Sequence, residues 1–313
     1  MEHRLFVTSE AGYIYNVVDG EYSIFYDIKD ETEYFGKIAR YNNNLLVVGG
    51  YKNINILVAD DGQNYCVYRT NLGELGHSDA IKFIDDFLVV ASSSHNTIIF
   101  IPVEEIYNNL LINSICKCFV AQLRPFLAFK LNNVDFIDNQ FLLGLKVLDK
   151  KTLDSGLLYA EKDFSAYFIK QYGWKATKLA VIDGKIYTIC NNVYGTEKKP
   201  CLVVNEKKVV VFHESYELND FSVSDDYIYI VGRCITEIDG TTANRGIIII
   251  LDRKYNLIDT YFIKGSGALL GCLSVDKDYA NDAVVYHCTD FVKAQLKENI
   301  MYKSLYIMKG YEE

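Results

Sequence analysis

The run GHSDAIKF, residues 76–83, sets His77, Ser78 and Asp79 side by side, the residue types of a nucleophilic hydrolase. A catalytic triad is assembled in space by groups that face one another, which three consecutive side chains cannot do. Ser78 and Asp79 are therefore expected to cap a loop ahead of a strand. His77 and Asp79 also join a wider polar set, Lys37, Arg40, Lys82, Asp135 and Arg233, each beside or within a short apolar segment. If those segments are strands ending on one rim, the set meets at one mouth. There it would bind a ligand, or serve a hydrolase or lyase acting on a sugar-like substrate. Metal and cofactor chemistry is not indicated: phosphate-loop, zinc-protease and calcium-loop motifs are missing from the sequence. Cys116 and Cys118 stand close together, but no second cysteine pair or neighbouring His completes a tetrahedral zinc site. The polar loop 237–246, EIDGTTANRG, carries two acids, too few for a calcium cage.

The elements that must position these residues show themselves as a repeat. IARYNNNLLVVGG (38–50) matches IKFIDDFLVVASS (81–93) almost position for position. VDFIDNQFLLGL (134–145), LAVIDGKIYTIC (179–190) and FSVSDDYIYIVG (221–232) continue the series. Each is a β-rich run, a short Asn/Asp/Gly turn, then a more apolar run. Those turn residues tolerate the positive φ of tight hairpins. The turns at Asn43, Asp85, Asp138, Asp183 and Asp225 are spaced by 42, 53, 45 and 42 residues. A strand-rich period of this length predicts an all-β propeller of four-stranded antiparallel blades. The second run of each hairpin is nearly continuous in apolar residues, as a strand covered on both faces requires. The outer half of the repeat continues in an Asn-Glu hairpin at 205–206 and another around Asp252–Asn256. Segments 4–28 and 269–311 read as partial blades. Seven blades are expected, or six if the two ends share one, in a single domain over 1–313 closed by pairing of the terminal strands. Helix is predicted only at 103–111 and 290–299.

The segment 38–68 has a more specific likeness. It resembles the repeat of phage-encoded and bacterial propellers of the BNR or Asp-box class, where a strand–turn–strand precedes a Ser-x-Asp-Gly-x-x-Trp turn. Tyr41, Asn43, Leu46, Val48 and Gly49 fall on the first part; Asp61, Gly62, Asn64 and Tyr65 fall on the second. Ala59 replaces the Ser and Tyr65 the Trp. The Asp-Gly pair would make the turn and the aromatic would plug the blade core. The class includes sialidases, yet no Arg recurs at equivalent positions of successive repeats, so those residues are read as structural.

Composition narrows the function. Half of the 313 residues are hydrophobic and 23% are charged, enough apolar mass for a large interior. Net charge is −9 and no Lys/Arg run exceeds two, which disfavours nucleic acid as a partner. The longest aliphatic run, Ile247–Leu251, is far short of a membrane span. MEHRLFVTSEAG has no signal-like apolar stretch, so cytoplasmic synthesis is expected, with the eight cysteines as buried free thiols. Surplus Tyr and Asn, including Asn42–Asn44 and Asn191–Asn192, are expected in loops, where they suit recognition. An AT-rich genome would raise Tyr, Asn, Ile and Lys alike and is the preferred explanation of the surplus. The reading is a non-catalytic interaction propeller without cofactor. The resemblance implies a component of a phage tail, baseplate or virion that contacts protein subunits, or a glycan or protein on a target cell. An intracellular bacterial scaffold is the other alternative.

Overall fold

The computed structural model describes residues 4–8, 13–18, 21–27, 37–42, 44–49, 54–59, 65–70, 78, 80–92, 97–109, 119–122, 129–137, 140–147, 155–161, 167–172, 175–191, 199–223, 225–238, 241–262, 269–275, 283–288 and 305–308. Their strands form sheets in chain order. The first sheet is β1 (Arg4–Thr8), β2 (Tyr13–Val18) and β3 (Glu21–Asp27). The second is β4 (Lys37–Asn42), β5 (Leu45–Gly49), β6 (Ile54–Ala59) and β7 (Tyr65–Thr70). The third is β8 (Ala80–Ile84), β9 (Phe87–Ser92), β10 (Thr97–Pro102) and β11 (Phe119–Gln122), with helix α1 (Val103–Asn109) between its last two strands. The fourth is β12 (Phe129–Ile137), β13 (Gln140–Val147), β14 (Ser155–Glu161) and β15 (Tyr167–Tyr172). The fifth is β16 (Lys175–Ile182), β17 (Lys185–Asn191), β18 (Cys201–Val204) and β19 (Lys207–Val211). The sixth is β20 (Tyr216–Val223), β21 (Tyr227–Ile238), β22 (Thr241–Asp252) and β23 (Leu257–Phe262). The last is β24 (Leu269–Val275), β25 (Ala283–Cys288) and β26 (Leu305–Met308).

Every sheet is a meander in which consecutive strands are hydrogen-bonded neighbours. The chain divides into two compact units, residues 6–15 with 23–173, and residues 1–5, 16–22 and 174–313. The second, third and fourth sheets belong to the former; the fifth, sixth and last belong to the latter.

The turn chemistry explains the hairpins. Asp85 and Asp183 adopt φ of 49° and 51°, the left-handed region that a short polar side chain accepts. Asn205 and Glu206, with φ of 44° and 66°, make the two-residue turn between β18 and β19. At the outer turn of the sixth sheet the Asp252 carboxylate accepts the amides of Lys254 and Asn256 and the Asn256 side chain, each at 2.8 Å. These bonds hold its pKa below the ordinary carboxylate range, those to Asn256 most of all. Turn residues Asn43 and Asp138 lie outside the described residues, as do Asp61, Gly62 and Asn64 of the Asp-box-like turn; Tyr65 opens β7. Helix α1 falls on the predicted 103–111, and residues 290–299 are outside the description. Among the described residues no helix is long and apolar enough to cross a membrane.

Inner strands are covered on both faces, as the continuous apolar runs predict. All but the first residue of β9 and all but the first two of β17 are buried, and β18 is buried throughout. In one unit Leu45, Val47, Ile54 and Ile56 of the second sheet pack with Ile81, Leu88, Val90 and Ile99 of the third. In the other, Tyr187, Ile189, Leu202 and Val204 of the fifth sheet pack with Leu218, Phe221, Ile228 and Ile230 of the sixth. Each fully buried aliphatic side chain is worth about 1.5–3 kcal/mol relative to exposure.

The first strands are irregular in a recurrent way. One extra residue interrupts the pairing of β12 at Asn132, of β16 at Thr177 and of β20 at Asn219. Each stands six positions before its turn residue, Asp138, Asp183 or Asp225. A bulge bends the strand and turns the following side chain. In β20 it also draws the partner backbone close, since a Cβ on Gly232 would collide with the Glu217 carbonyl. Gly232→Ala is expected to lower stability by about 3 kcal/mol as overpacking. Gly184→Ala, where nothing lies within 4 Å and φ is +67°, should cost only about 1–2 kcal/mol. Urea unfolding of the two variants checks the order.

Candidate functional site

The polar groups of the first strands are where the sequence-predicted site residues fall. Lys82 stands three positions before turn residue Asp85, and Asp135 three before Asp138, on the first strands β8 and β12 of consecutive sheets. The structure brings them together: Lys82 Nζ donates to Asp135 Oδ2 at 2.5 Å, and Asp135 is buried. Arg233 sits on β21 directly opposite Glu217 of β20. Its Nε donates to Glu217 Oε2 at 2.7 Å and a second guanidinium nitrogen reaches the same oxygen at 2.5 Å. It is thus tied within its own sheet. Lys37 opens β4 and Arg40 lies within it, their side chains undescribed; His77 and Asp79 lie outside the described residues. Ser78 differs from the loop cap expected of it: it is buried, and its Oγ has no hydrogen-bond partner among the described residues. It packs where a Cβ on Gly49 would meet it, so sheet packing rather than loop chemistry fixes its place.

Sequence reading missed the fullest polar junction, between the fifth and sixth sheets. Lys178 and Asp220 each follow a bulge, five positions before their turn residues, and pair at 3.1 Å. Asp220 also accepts the amide of Phe221 at 2.8 Å. Asn191 was expected in a surface loop; instead it is the buried last residue of β17. Its Oδ1 accepts the Leu218 amide at 2.7 Å, and its Nδ2 donates to the Leu218 carbonyl at 2.6 Å and to Thr177 Oγ1 at 2.9 Å. One side-chain amide thus imitates a strand neighbour for the residue just before the bulge. The physical reason for the correction is that buried backbone groups require partners, and β20 is the edge of its sheet, with no further strand of that sheet beyond Leu218 to supply them.

Two rim contacts tie turns to neighbouring sheets. Tyr41 donates its hydroxyl to Asp86 at 3.0 Å and rests on Phe83, ring centroids 5.1 Å apart. The bond to Asp86 pushes the phenol pKa up. Arg253 pairs with Asp183 at 2.8 Å. Beneath them Tyr187 is raised to about 12, first by burial and then by its hydrogen bond to Tyr255. On β17 and β18, Cys190 and Cys201 are directly opposed and fully buried. Each thiol is the strongest influence on the other: the neighbouring Cys201 pushes the Cys190 thiol up, and the neighbouring Cys190 holds Cys201 down. The arrangement is one of paired charges and satisfied backbone. Among the described residues no cluster of three His, Cys, Asp or Glu could hold a metal.

No family model and no curated protein matches this sequence. Solved structures do match its shape. A structure of YCF48 bound to D1 peptide aligns with 100% of this chain and 89% of its own, at a TM-score of 0.63 and 9% identity. A structure of catalytically inactive virginiamycin B lyase from Staphylococcus aureus with quinupristin covers 92% and 95%, at 0.56 and 9%. A nidogen/laminin complex covers 83% and 93%, at 0.51 and 11%. The chain has the β-propeller fold. The meandering sheets are its blades, and their first strands carry the polar ties between neighbours.

Asn191→Ala should orphan both backbone groups of Leu218 and lower stability by about 2–4 kcal/mol. Asn191→Asp should not restore it, since a carboxylate would face the Leu218 carbonyl; chemical denaturation of both variants checks this. Tyr187 gives a pH signature. Its folded pKa lies above the unfolded value of about 10, so its contribution is complete below that pH and is lost as pH rises through about 12. Tyr187→Phe should remove one late-ionising phenol from an ultraviolet titration and flatten the alkaline fall in stability.

Proposed function

We propose that this chain is a non-catalytic protein-interaction propeller, a rigid subunit of a larger assembly. The observation that carries the reading is the outer strand of the sixth sheet. On β23, Leu257, Ile258, Tyr261 and Phe262 are 61%, 39%, 39% and 48% exposed. Large apolar side chains gathered on one edge strand mark a contact surface more than chance exposure does. Edge strands are ordinarily guarded by lysine or proline, and β23 has neither. The YCF48 and nidogen structures, each solved with a protein or peptide partner, show that the same fold serves such contacts elsewhere.

The finer form of the proposal is a phage tail or baseplate component, and it rests on the Asp-box-like segment 38–65. The alternative, a glycan-acting hydrolase or lyase, would use Lys82, Asp135 and Arg233 as free groups. The pairing of Lys82 with Asp135 and of Arg233 with Glu217 favours the interaction reading over it.

Crosslinking and mass spectrometry of the chain recovered from its producing cells should join partner peptides to residues beside β23. A Leu257→Asp, Phe262→Asp variant should lose that partner at an unchanged unfolding midpoint, because both side chains face solvent. Recovery of the chain without any partner, or a partner retained by the double variant, would remove the support.

A further inference from the structure

The fifth sheet carries a pair of thiols whose placement has no role in the ties described above. Cys190 and Cys201 occupy directly opposite positions on β17 and β18, so their side chains project from the same face. Both are free thiols and both are buried. They pack with Ala176 and Val203 in a small apolar cluster, with the charge of Lys208 near enough to act on both sulfurs. Opposed Cβ atoms on antiparallel strands lie about 4.5–5.5 Å apart, close to the separation of about 3.5–4.5 Å that a disulfide needs. Only a small local contraction separates the two states.

Solvent lies one strand away. Across the same row, Cys201 is paired with Val211 of the outer strand β19, and Val211 is 52% exposed. The pairing of β18 with β19 shifts register between Leu202 and Val203, next to Cys201. A short outer hairpin with an interrupted ladder is the part of a sheet that opens first. A small oxidant therefore has a route to Cys201 past the edge, without unfolding of the remaining strands.

We propose that Cys190 and Cys201 are a redox modification site, joined as a cross-strand disulfide by a peroxide-class oxidant. The Cys201 thiolate attacks one peroxide oxygen, becoming a sulfenic acid and releasing the other oxygen as water after proton uptake. The Cys190 sulfur then attacks that sulfenic sulfur, the S–S bond forms, and the hydroxyl leaves as a second water with the Cys190 proton. Two thiols lose two electrons in total and one peroxide is reduced to two waters. The neighbouring Cys190 thiol and the charge of Lys208 both favour thiolate character at Cys201, which agrees with its place as the attacking group. The site does not depend on the interaction reading and stands or falls separately from it.

The test uses the folded wild-type chain and hydrogen peroxide. After treatment, free thiols are alkylated in denaturant, and the chain is digested without reduction and mapped by mass spectrometry. The expected product is one linked peptide pair containing Cys190 and Cys201, released by dithiothreitol, with Cys66 and Cys234 still alkylated. Cys190→Ala should convert Cys201 to sulfinic acid for want of a resolving thiol. Should that variant fail to fold, the wild-type map decides alone. Full alkylation of both residues after treatment, or either one linked to a different cysteine, would overturn the assignment.

Discussion

The side-chain amide of Asn191 meets both backbone groups of Leu218 across the gap between two sheets, and much else at that junction depends on it. Apolar packing draws sheet onto sheet, but the attraction is non-directional and tolerates small slides. A two-bond contact to one residue does not. Leaving two buried backbone groups unmet would cost about 1–3 kcal/mol each, enough to select one register over its neighbours. The need arises because β20 is the edge strand of its sheet, so Leu218, paired with Gly232 on one side just before the bulge at Asn219, has no strand of that sheet on the other. The bulge at Thr177 helps meet it by placing a hydroxyl where Asn191 can also donate.

The ion pairs follow the same logic. Lys82 with Asp135 in one unit, and Lys178 with Asp220 in the other, join matching positions on consecutive first strands. In each, the carboxylate is the buried member and the lysine keeps contact with solvent. That asymmetry limits the desolvation cost, because the ammonium stays partly hydrated while it compensates the buried charge. Such pairs add little net stability over an apolar contact of similar size. Their value lies in specifying which strand meets which: an out-of-register sheet would bury a carboxylate alone, and that is expensive.

How much of this could be read from sequence follows from the range of the forces. Local chemistry was legible. Asp85, Asp183 and the Asn205–Glu206 pair announce turns because their backbone demands positive φ, and the apolar second runs of the hairpins, such as those that form β9 and β17, announce strands covered on both faces. Helix α1 was legible within the 53-residue spacing between Asp85 and Asp138, the longest of the four between successive turns. Lys82 and Asp135 were both singled out, since both interrupt apolar first strands, but their partnership was not, because it depends on neighbouring sheets packing at one particular register. Asn191 was misplaced for the same reason: Asn-Asn after an apolar run has the composition of a loop, and only the needs of Leu218 make it the end of a strand. Cys190 and Cys201 were expected as buried free thiols and are so, but their opposition was not legible, because it depends on strand register and a slip of one residue would send their side chains to opposite faces.

The outer strands show a division of labour that the inner ones cannot. Strand β19 begins with Lys207 and Lys208, and β15 contains Lys170, charges that resist pairing with a foreign strand. Strand β23 lacks lysine, yet it is not a fully open template. The Asp259 carboxylate accepts the amide of Thr260 at 2.6 Å, so that donor is already engaged. The bulge between Ile250 and Leu251 further distorts the ladder on the side facing β22. Indefinite edge-to-edge growth is thereby discouraged while four apolar side chains stay presented. A partner meeting this strand would gain mainly from side-chain burial, with few main-chain bonds, and recognition would rest on the shape of its apolar surface.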